Sequence, residues 1–275
     1  MTTSVHNLLS MLDITPQGMN SYVGHSPSSP RPRLFGGQVL GQALAAAGRT
    51  VARGRAPHSL HAYFLKPGAA GIPVEYTVAT IRESRGFSTR RISAHQGCRH
   101  IFEMTASFQN PENGVDHQFP MPTTSGPDMA RPILDDFENE PDIYREWGSV
   151  DLRRVPRTEP IRGRAHSQVW MRTRQTVPAD PLLSACILAC LSDLTLLSVA
   201  LVPHGISMRH EEYLVASLDH SIWFHRPFHV DAWLLYDQFS PSATNGLALT
   251  NGHFYQQDGS LVATVAQEGA IRELR

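Results

Sequence analysis

The chain has 275 residues, 41% of them hydrophobic, and a formal net charge of −1. That is enough for one large domain or two small ones with a real core, and it excludes a disordered segment. The balanced charge gives no electrostatic reason to expect nucleic acid or a lipid surface as the main partner. Lysine occurs once, at Lys66, where it precedes Pro67 in a turn-like setting, so Schiff-base chemistry has a single, poorly placed candidate.

In chain order, the first residues (Met1 to Asp13) lack the basic stretch and long apolar run of a signal peptide. A short strand is predicted over Met19–Gly24. A helix follows over Gly37–Val51, where Val39, Leu40, Ala43, Leu44 and Ala47 recur at helical spacing. Strands are predicted over His58–Leu65, Val74–Arg82, Phe87–His95 and Arg99–Gln109. A polar stretch from about Pro111 to Arg164, with an acidic run at Asp135-Asp136-Phe137-Glu138 and a basic pair at Arg153-Arg154, reads as a linker with irregular or short helical pieces. Then come a strand over Ser167–Arg172, a helix over Leu182–Val202, and strands over Val215–His225, Ala232–Phe239, Leu247–Gln256 and Leu261–Ile271. The Leu182–Val202 run is long enough to span a bilayer, but Asp193 at its centre costs about 2.5–3.5 kcal/mol on insertion scales. A helix apolar on nearly all sides is also what a buried central helix looks like, and no membrane partner is expected. The C-terminal Glu273-Leu274-Arg275 is not a peroxisomal address, and an odd count of three cysteines suits a reducing compartment, so the expected location is the cytoplasm.

The order of elements repeats. Lys66-Pro67 closes one strand, Arg226-Pro227 closes another, and the two pairs lie 160 residues apart. The same offset aligns Gly86 with Gly246, Gln96 with Gln256 and Ile101 with Leu261, and carries Phe102–Phe108 onto Val262–Glu268. One helix for every four or five antiparallel strands implies an α+β fold in which a sheet wraps a central helix. The expected division is a first unit over 1–112, a linker over 113–164 and a second unit over 165–275.

Three residues draw attention. Asp193 sits on an apolar helix face beside Ala189, Cys190, Leu196 and Leu197, and a carboxylate there is expensive unless hydrogen-bonded or held for a purpose. Its ordinary reading is a helix-edge or loop-capping acid. Ser217 begins a strand; strict alternation puts Asp219 on its face and His220 on the other, which makes a Ser-His-Asp triad geometrically poor, and no G-x-S-x-G elbow occurs. Gln267 is an amide that follows the apolar run Leu261–Ala266 in the last strand, and its equivalent at the 160 offset is Ser107. Taken alone, Ser217 and Gln267 have bland readings as a strand-start hydroxyl and an edge amide.

The other candidates point elsewhere or nowhere. Of 14 histidines, His58 with His61 and His220 with His225 face opposite sides of their strands, which defeats a shared metal. His95 and His100 flank a turn and are placed to meet across a hairpin. Cys186 and Cys190, one helical turn apart, suit core packing. No Walker A or G-x-G-x-x-G pattern supports a nucleotide cofactor, and no cofactor or metal is expected. Phe35-Gly36-Gly37-Gln38, before the first helix, permits close backbone approach and offers amides to an anion.

Long motifs resemble one family. Leu34-Phe-Gly-Gly-Gln-Val-Leu-Gly-Gln-Ala, His58-Ser-Leu-His-Ala-Tyr-Phe-Leu-Lys-Pro-Gly, Met104-Thr-Ala-Ser-Phe-Gln, Asp219-His-Ser-Ile-Trp-Phe-His-Arg-Pro-Phe and Val265-Ala-Gln-Glu-Gly are similar to those of the bacterial acyl-CoA thioesterase II family. The resemblance covers nearly the whole chain and is weakest across the linker. It implies a double hotdog, two antiparallel sheets each wrapped around a central helix, working as a homo-oligomer. It further implies hydrolysis of fatty acyl-CoA to free fatty acid and coenzyme A, with Asp193, Ser217 and Gln267 as catalytic residues. Ser217 stands where family members commonly have Thr, which keeps the hydroxyl. Direct attack by water then follows as the expected mechanism, with an acyl tunnel expected near Leu194, Leu197 and Trp223. Two alternatives stay open at this level: a hotdog dehydratase or hydratase using His plus a carboxylate, and a non-catalytic acyl-CoA sensor.

Overall fold

A computed structural model describes residues 5–25, 32–133, 148–156, 165–206, 208 and 212–274; the acidic run from Asp135 to Glu138 lies outside them. The first half holds α1 (Val5–Leu12), β1 (Thr15–Gly18), β2 (Ser21–Gly24), α2 (Gly36–Gly48), β3 (Ala56–Phe64), β4 (Val74–Glu83), β5 (Phe87–Gln96) and β6 (Arg99–Gln109). The second holds β7 (Arg131–Pro132), β8 (Val150–Arg154), β9 (Ala165–Thr173), α3 (Pro181–Ser192), a 3-10 helix (Leu197–His204), β10 (Tyr213–Ser217), β11 (Asp219–Phe224), β12 (Leu234–Thr244), β13 (Leu247–Gln256) and β14 (Leu261–Glu273).

Among the described residues the strands form one antiparallel sheet in the order β1-β2-β4-β5-β6-β3-β11-β14-β13-β12-β9-β8-β7, with β10 paired to β14. The halves join where β3 meets β11, and there His61 lies opposite Ser221. Those two residues are one repeat offset apart, so the internal pseudo-twofold passes between them. The His61 Nδ1 and Ser221 Oγ atoms are 3.1 Å apart across it.

Each half-sheet buries alternate residues, as β5 shows with Ser88, Arg90, Ile92, Ala94 and Gln96 inward. The inward faces close on α2 and α3. Every residue of α2 from Gly37 to Ala47 is buried, as befits a helix surrounded on all sides. The helices run antiparallel in close contact: a Cβ on Gly37 would sit 2.2 Å from the Cys190 carbonyl oxygen, and one on Gly41 2.9 Å from that of Cys186. Glycine at these points lets the backbones touch. Cys186 and Cys190 are core residues, 1% and 0% exposed. This arrangement is the double hotdog that the repeat and the motifs implied.

Two expectations need correction. The run Leu182–Val202 is not one helix: α3 stops at Ser192, and Asp193 is its C-cap. Ser192 Oγ donates to Ala189 O and Ser198 Oγ to Thr195 O, hydroxyl bonds that compete with helical pairing where an apolar count sees none. Nor is the span after residue 112 only a connector. Val150–Arg154 pairs with β9 as an integral strand. Gln118 bonds Gly259 O and Leu261 N, Ser125 O accepts the Trp170 indole N–H, and Met121 packs on a cluster of Trp170, Trp233, Leu235, Tyr255 and Leu261. The stretch therefore seals the outer face of the second half-sheet.

Candidate active site

The site begins where α3 ends. Asp180 starts that helix by accepting the Leu182 amide, with Pro181 in the first turn, and the chain delivers Asp193 at the far end. Its side chain is 5% exposed. Antiparallel packing brings the N-terminus of α2 against it: the Gly37 amide faces the carboxylate and favours its ionised form, and a Cβ on Gly36 would fall 2.8 Å from Oδ2 and 2.9 Å from the Phe64 ring. The positive end of one half's helix thus faces the acid of the other half.

Two strands complete the cluster. Ser217 ends β10 opposite Gly269, and Ser221 lies opposite Ala266, so three residues on one side span two on the other. This is a β-bulge, a device that re-aims side chains. Asp219 Oδ1 fastens it by accepting the Glu268 amide at 2.6 Å. The continuous strand expected over Val215–His225 is therefore broken at Leu218. Across the break, Ser217 Oγ donates to Asp193 Oδ1 at 3.1 Å, while the Gln267 amide donates to the same oxygen at 2.5 Å and to Ser217 Oγ at 2.9 Å. All three residues singled out in the sequence meet in one triangle, and Gln267, 1% exposed, is no edge amide.

Burial dominates the electrostatics. It pushes the Asp193 carboxyl up to about 6, although the bonds from Gln267 and Ser217 and the Gly37 amide all pull the other way. A carboxylate so placed is desolvated, without a cationic partner among the described residues, and held by aimed donors. It is a base strengthened toward neutral pH.

Sequence reasoning missed His220. Alternation placed it away from Ser217, but the bulge turns both toward Asp193: His220 Nδ1 is 4.0 Å from Oδ1. The glycines that open α2 carried a signal, their capacity to meet an anion, and the anion proves to be Asp193. The expected acyl tunnel is not formed by the residues named for it. Leu194 and Leu197 are buried, whereas Trp223 is on the opposite face of β11, 38% exposed and edge-on to His61. A cavity of about 400 Å³, lined by residues including Leu9, Ala45, Leu182 and Cys186, lies at the other end of the helix pair and contains none of the triangle. His95 and His100 do meet, their rings stacked with centroids 4.5 Å apart.

Residues 25–109 match the acyl-CoA thioesterase N-terminal domain and residues 145–270 match the acyl-CoA thioesterase family. The chain is 36% identical to acyl-CoA thioesterase 2 of Haemophilus influenzae, over 99% of each chain. It superposes on an acyl-CoA thioesterase II of Mycobacterium marinum with a TM-score of 0.85 at 44% identity, covering 96% of this chain and 98% of that one. A hot dog fold protein of Alicyclobacillus acidocaldarius, 19% identical with a TM-score of 0.82 over 98% and 99% of the two chains, shares the fold. With its two halves matched in order and its length spanned by such relatives, the chain belongs to the acyl-CoA thioesterase family.

Proposed function

We propose that this chain hydrolyses acyl-CoA to free fatty acid and coenzyme A by direct attack of water, with Asp193 as general base and Ser217 and Gln267 as the groups that hold the water and the base. The observation that carries the mechanism is the convergence of Ser217 and Gln267 on one oxygen of a buried carboxylate. Water adds to the thioester carbonyl carbon as its proton passes to Asp193. The C–S bond then breaks, and the proton leaves with the sulfur as coenzyme A thiol. The positive N-terminal end of α2 is positioned to stabilise negative charge in the site. A dehydratase reading would need a histidine open to substrate. His220, the histidine beside Asp193, is 0% exposed and does not fit that role.

Incubating purified protein with acyl-CoAs of several lengths and a thiol-reactive dye tests the proposal. Thiol release is expected from wild type, with near-complete loss in Asp193→Asn. Water addition without thiol, or binding without turnover, would refute it.

We also propose a cytoplasmic homo-oligomer with no membrane or nucleic-acid partner. The free thiol of exposed Cys98 suits a reducing compartment. The near-neutral charge offers nucleic acid no field. Tyr63 and Trp223, both exposed on the central strands, supply an aromatic face for a second copy. Light scattering of the purified protein measures the oligomer directly, and a strictly monomeric mass would remove that part.

A further inference from the structure

The water mechanism leaves His220 without a task, although the imidazole is fully buried at the edge of the triangle. Its Nε2 is 2.8 Å from Ser192 Oγ, and Ser192 Oγ is 2.8 Å from the Ala189 carbonyl oxygen. A carbonyl only accepts, so the one hydroxyl proton of Ser192 goes to Ala189. Ser192 Oγ must then accept from His220 Nε2–H, which leaves Nδ1 as the unprotonated nitrogen. That nitrogen has no hydrogen-bond partner among the described residues and faces Asp193 Oδ1 at 4.0 Å. Oδ1 already accepts from Gln267 and Ser217.

A lone pair facing an ionised carboxylate is repulsive, while the same lone pair facing a carboxylic acid is an acceptor for its hydrogen. We propose that His220 is a positioning residue for Asp193: its Nδ1 lone pair receives the carboxyl hydrogen once Asp193 has taken a proton from the attacking water, so that the base holds this proton until the sulfur departs. A rotation of the carboxyl group closes the gap. The proton passes from water to Asp193 and from Asp193 to the leaving sulfur, and His220 ends as it began. This rests on Asp193 being the base.

The surroundings are consistent with it. Among the described residues the other titratable groups facing Asp193 are the Cys190 thiol from α3 and the Tyr236 phenol from β12, both pushed up by burial and so neutral across the working range. β10, β14 and α2 present the non-titrating Ser217, Gln267 and Gly37 amide. Burial holds His220 itself down to about 3, which keeps the imidazole neutral.

Two substitutions separate the nitrogens. His220→Gln keeps a donor for Ser192 and removes the Nδ1 acceptor. It is expected to lower kcat about tenfold and move the acid limb of the kcat/KM profile to lower pH, with KM and melting temperature near wild type. His220→Asn keeps an acceptor near Asp193 and abandons Ser192. It is expected to melt earlier while holding the wild-type limb. If both keep the wild-type limb and kcat, or if only the Asn variant shifts, His220 is purely structural and the proposal is overturned. Nitrogen NMR of the wild-type enzyme needs no variant fold. An unprotonated Nδ1 whose resonance moves as Asp193 titrates supports the proposal; a protonated or unresponsive Nδ1 overturns it. Asp193→Asn in parallel keeps the failures apart. Normal turnover there sinks the base assignment, whereas loss of turnover beside an unshifted His220→Gln limb sinks only the role of His220.

Discussion

The two halves build the same frame and put opposite chemistry in it. Both carry a one-residue bulge at the repeat-equivalent place, at His58 between β3 and β6 and at Leu218 to His220 between β10, β11 and β14. In the second half the frame holds Ser217 and Gln267 around a carboxylate. At the same offset the first half has Pro57, which has no hydroxyl, and Ser107, whose Oγ meets His58 Nε2 at 2.8 Å. The helix C-cap is Asp193 in α3 but Arg49 in α2. Thr250, which supports Gln267 by donating to its carbonyl, is replaced by Arg90, 3% exposed. Arg90 donates to Thr50 Oγ1 and O and pairs with Glu83, to which Arg55 also donates. A buried charge with a full set of partners is structural; a buried charge with donors but no counter-ion, as Asp193 has none among the described residues, is poised to react. One internal duplication supplies both.

The strongest test of that contrast is Asp193→Asn. Turnover is expected to fall about 10²- to 10⁴-fold, the usual worth of a general base. The fold should gain stability at the same time. A carboxyl raised from 3.8 to about 6 by burial withholds about 3 kcal/mol once ionised. The native state binds more protons than the unfolded chain between those values, so stability falls as pH rises through the window and stays lower above it. An active or a markedly less stable variant would break the comparison.

Next come the supports. Removing Gln267 or Ser217 as alanine deletes hydrogen bonds to a charged group, each worth about 1.5–3 kcal/mol, so steady-state kinetics should show losses of roughly tenfold to a hundredfold. Ser217→Ala should cost less than Asp193→Asn, and the reverse order would require new roles. In wild type, kcat/KM should fall as pH drops below about 6, where Asp193 takes up its proton before water can supply one. A profile flat to pH 5 would assign the base elsewhere.

The first half should answer through stability alone. Arg90→Leu leaves the Thr50 carbonyl without its donor and Glu83 with only Arg55 and Ser88, with an expected loss of about 1–3 kcal/mol by denaturant titration and unchanged kcat per folded molecule. Ser107→Ala is expected to change activity not at all. A kinetic effect at either position would mean that the first-half site still participates.

Much of this was legible in the chain itself. The repeat, the count of strands per helix and the residues Asp193, Ser217 and Gln267 stand out because hydrophobic periodicity and a polar residue in an apolar run are local properties, set by each segment's need to bury one face. The break in the second helix and the bulge at Leu218 were not legible. The bulge depends on a bond between distant segments, Asp219 to the Glu268 amide, and at the break the local Ser192 and Ser198 hydroxyl bonds are joined by a distant one, Tyr236 to the Ser192 carbonyl. The stretch after residue 112 was read as polar connector because its few apolar side chains, such as Met121, acquire meaning only against Trp170 and Tyr255.

Sequence alone determined that two like units exist and which side chains are costly to bury. Tertiary structure decided that the cost falls at a single point. Antiparallel packing of two helices across a pseudo-twofold sets the amide end of one against the acid end of the other, and a bulge turns Ser217 and His220 to the same side. The strength of Asp193 as a base comes from that enclosure, since a pKa is a property of surroundings that no stretch of chain carries by itself.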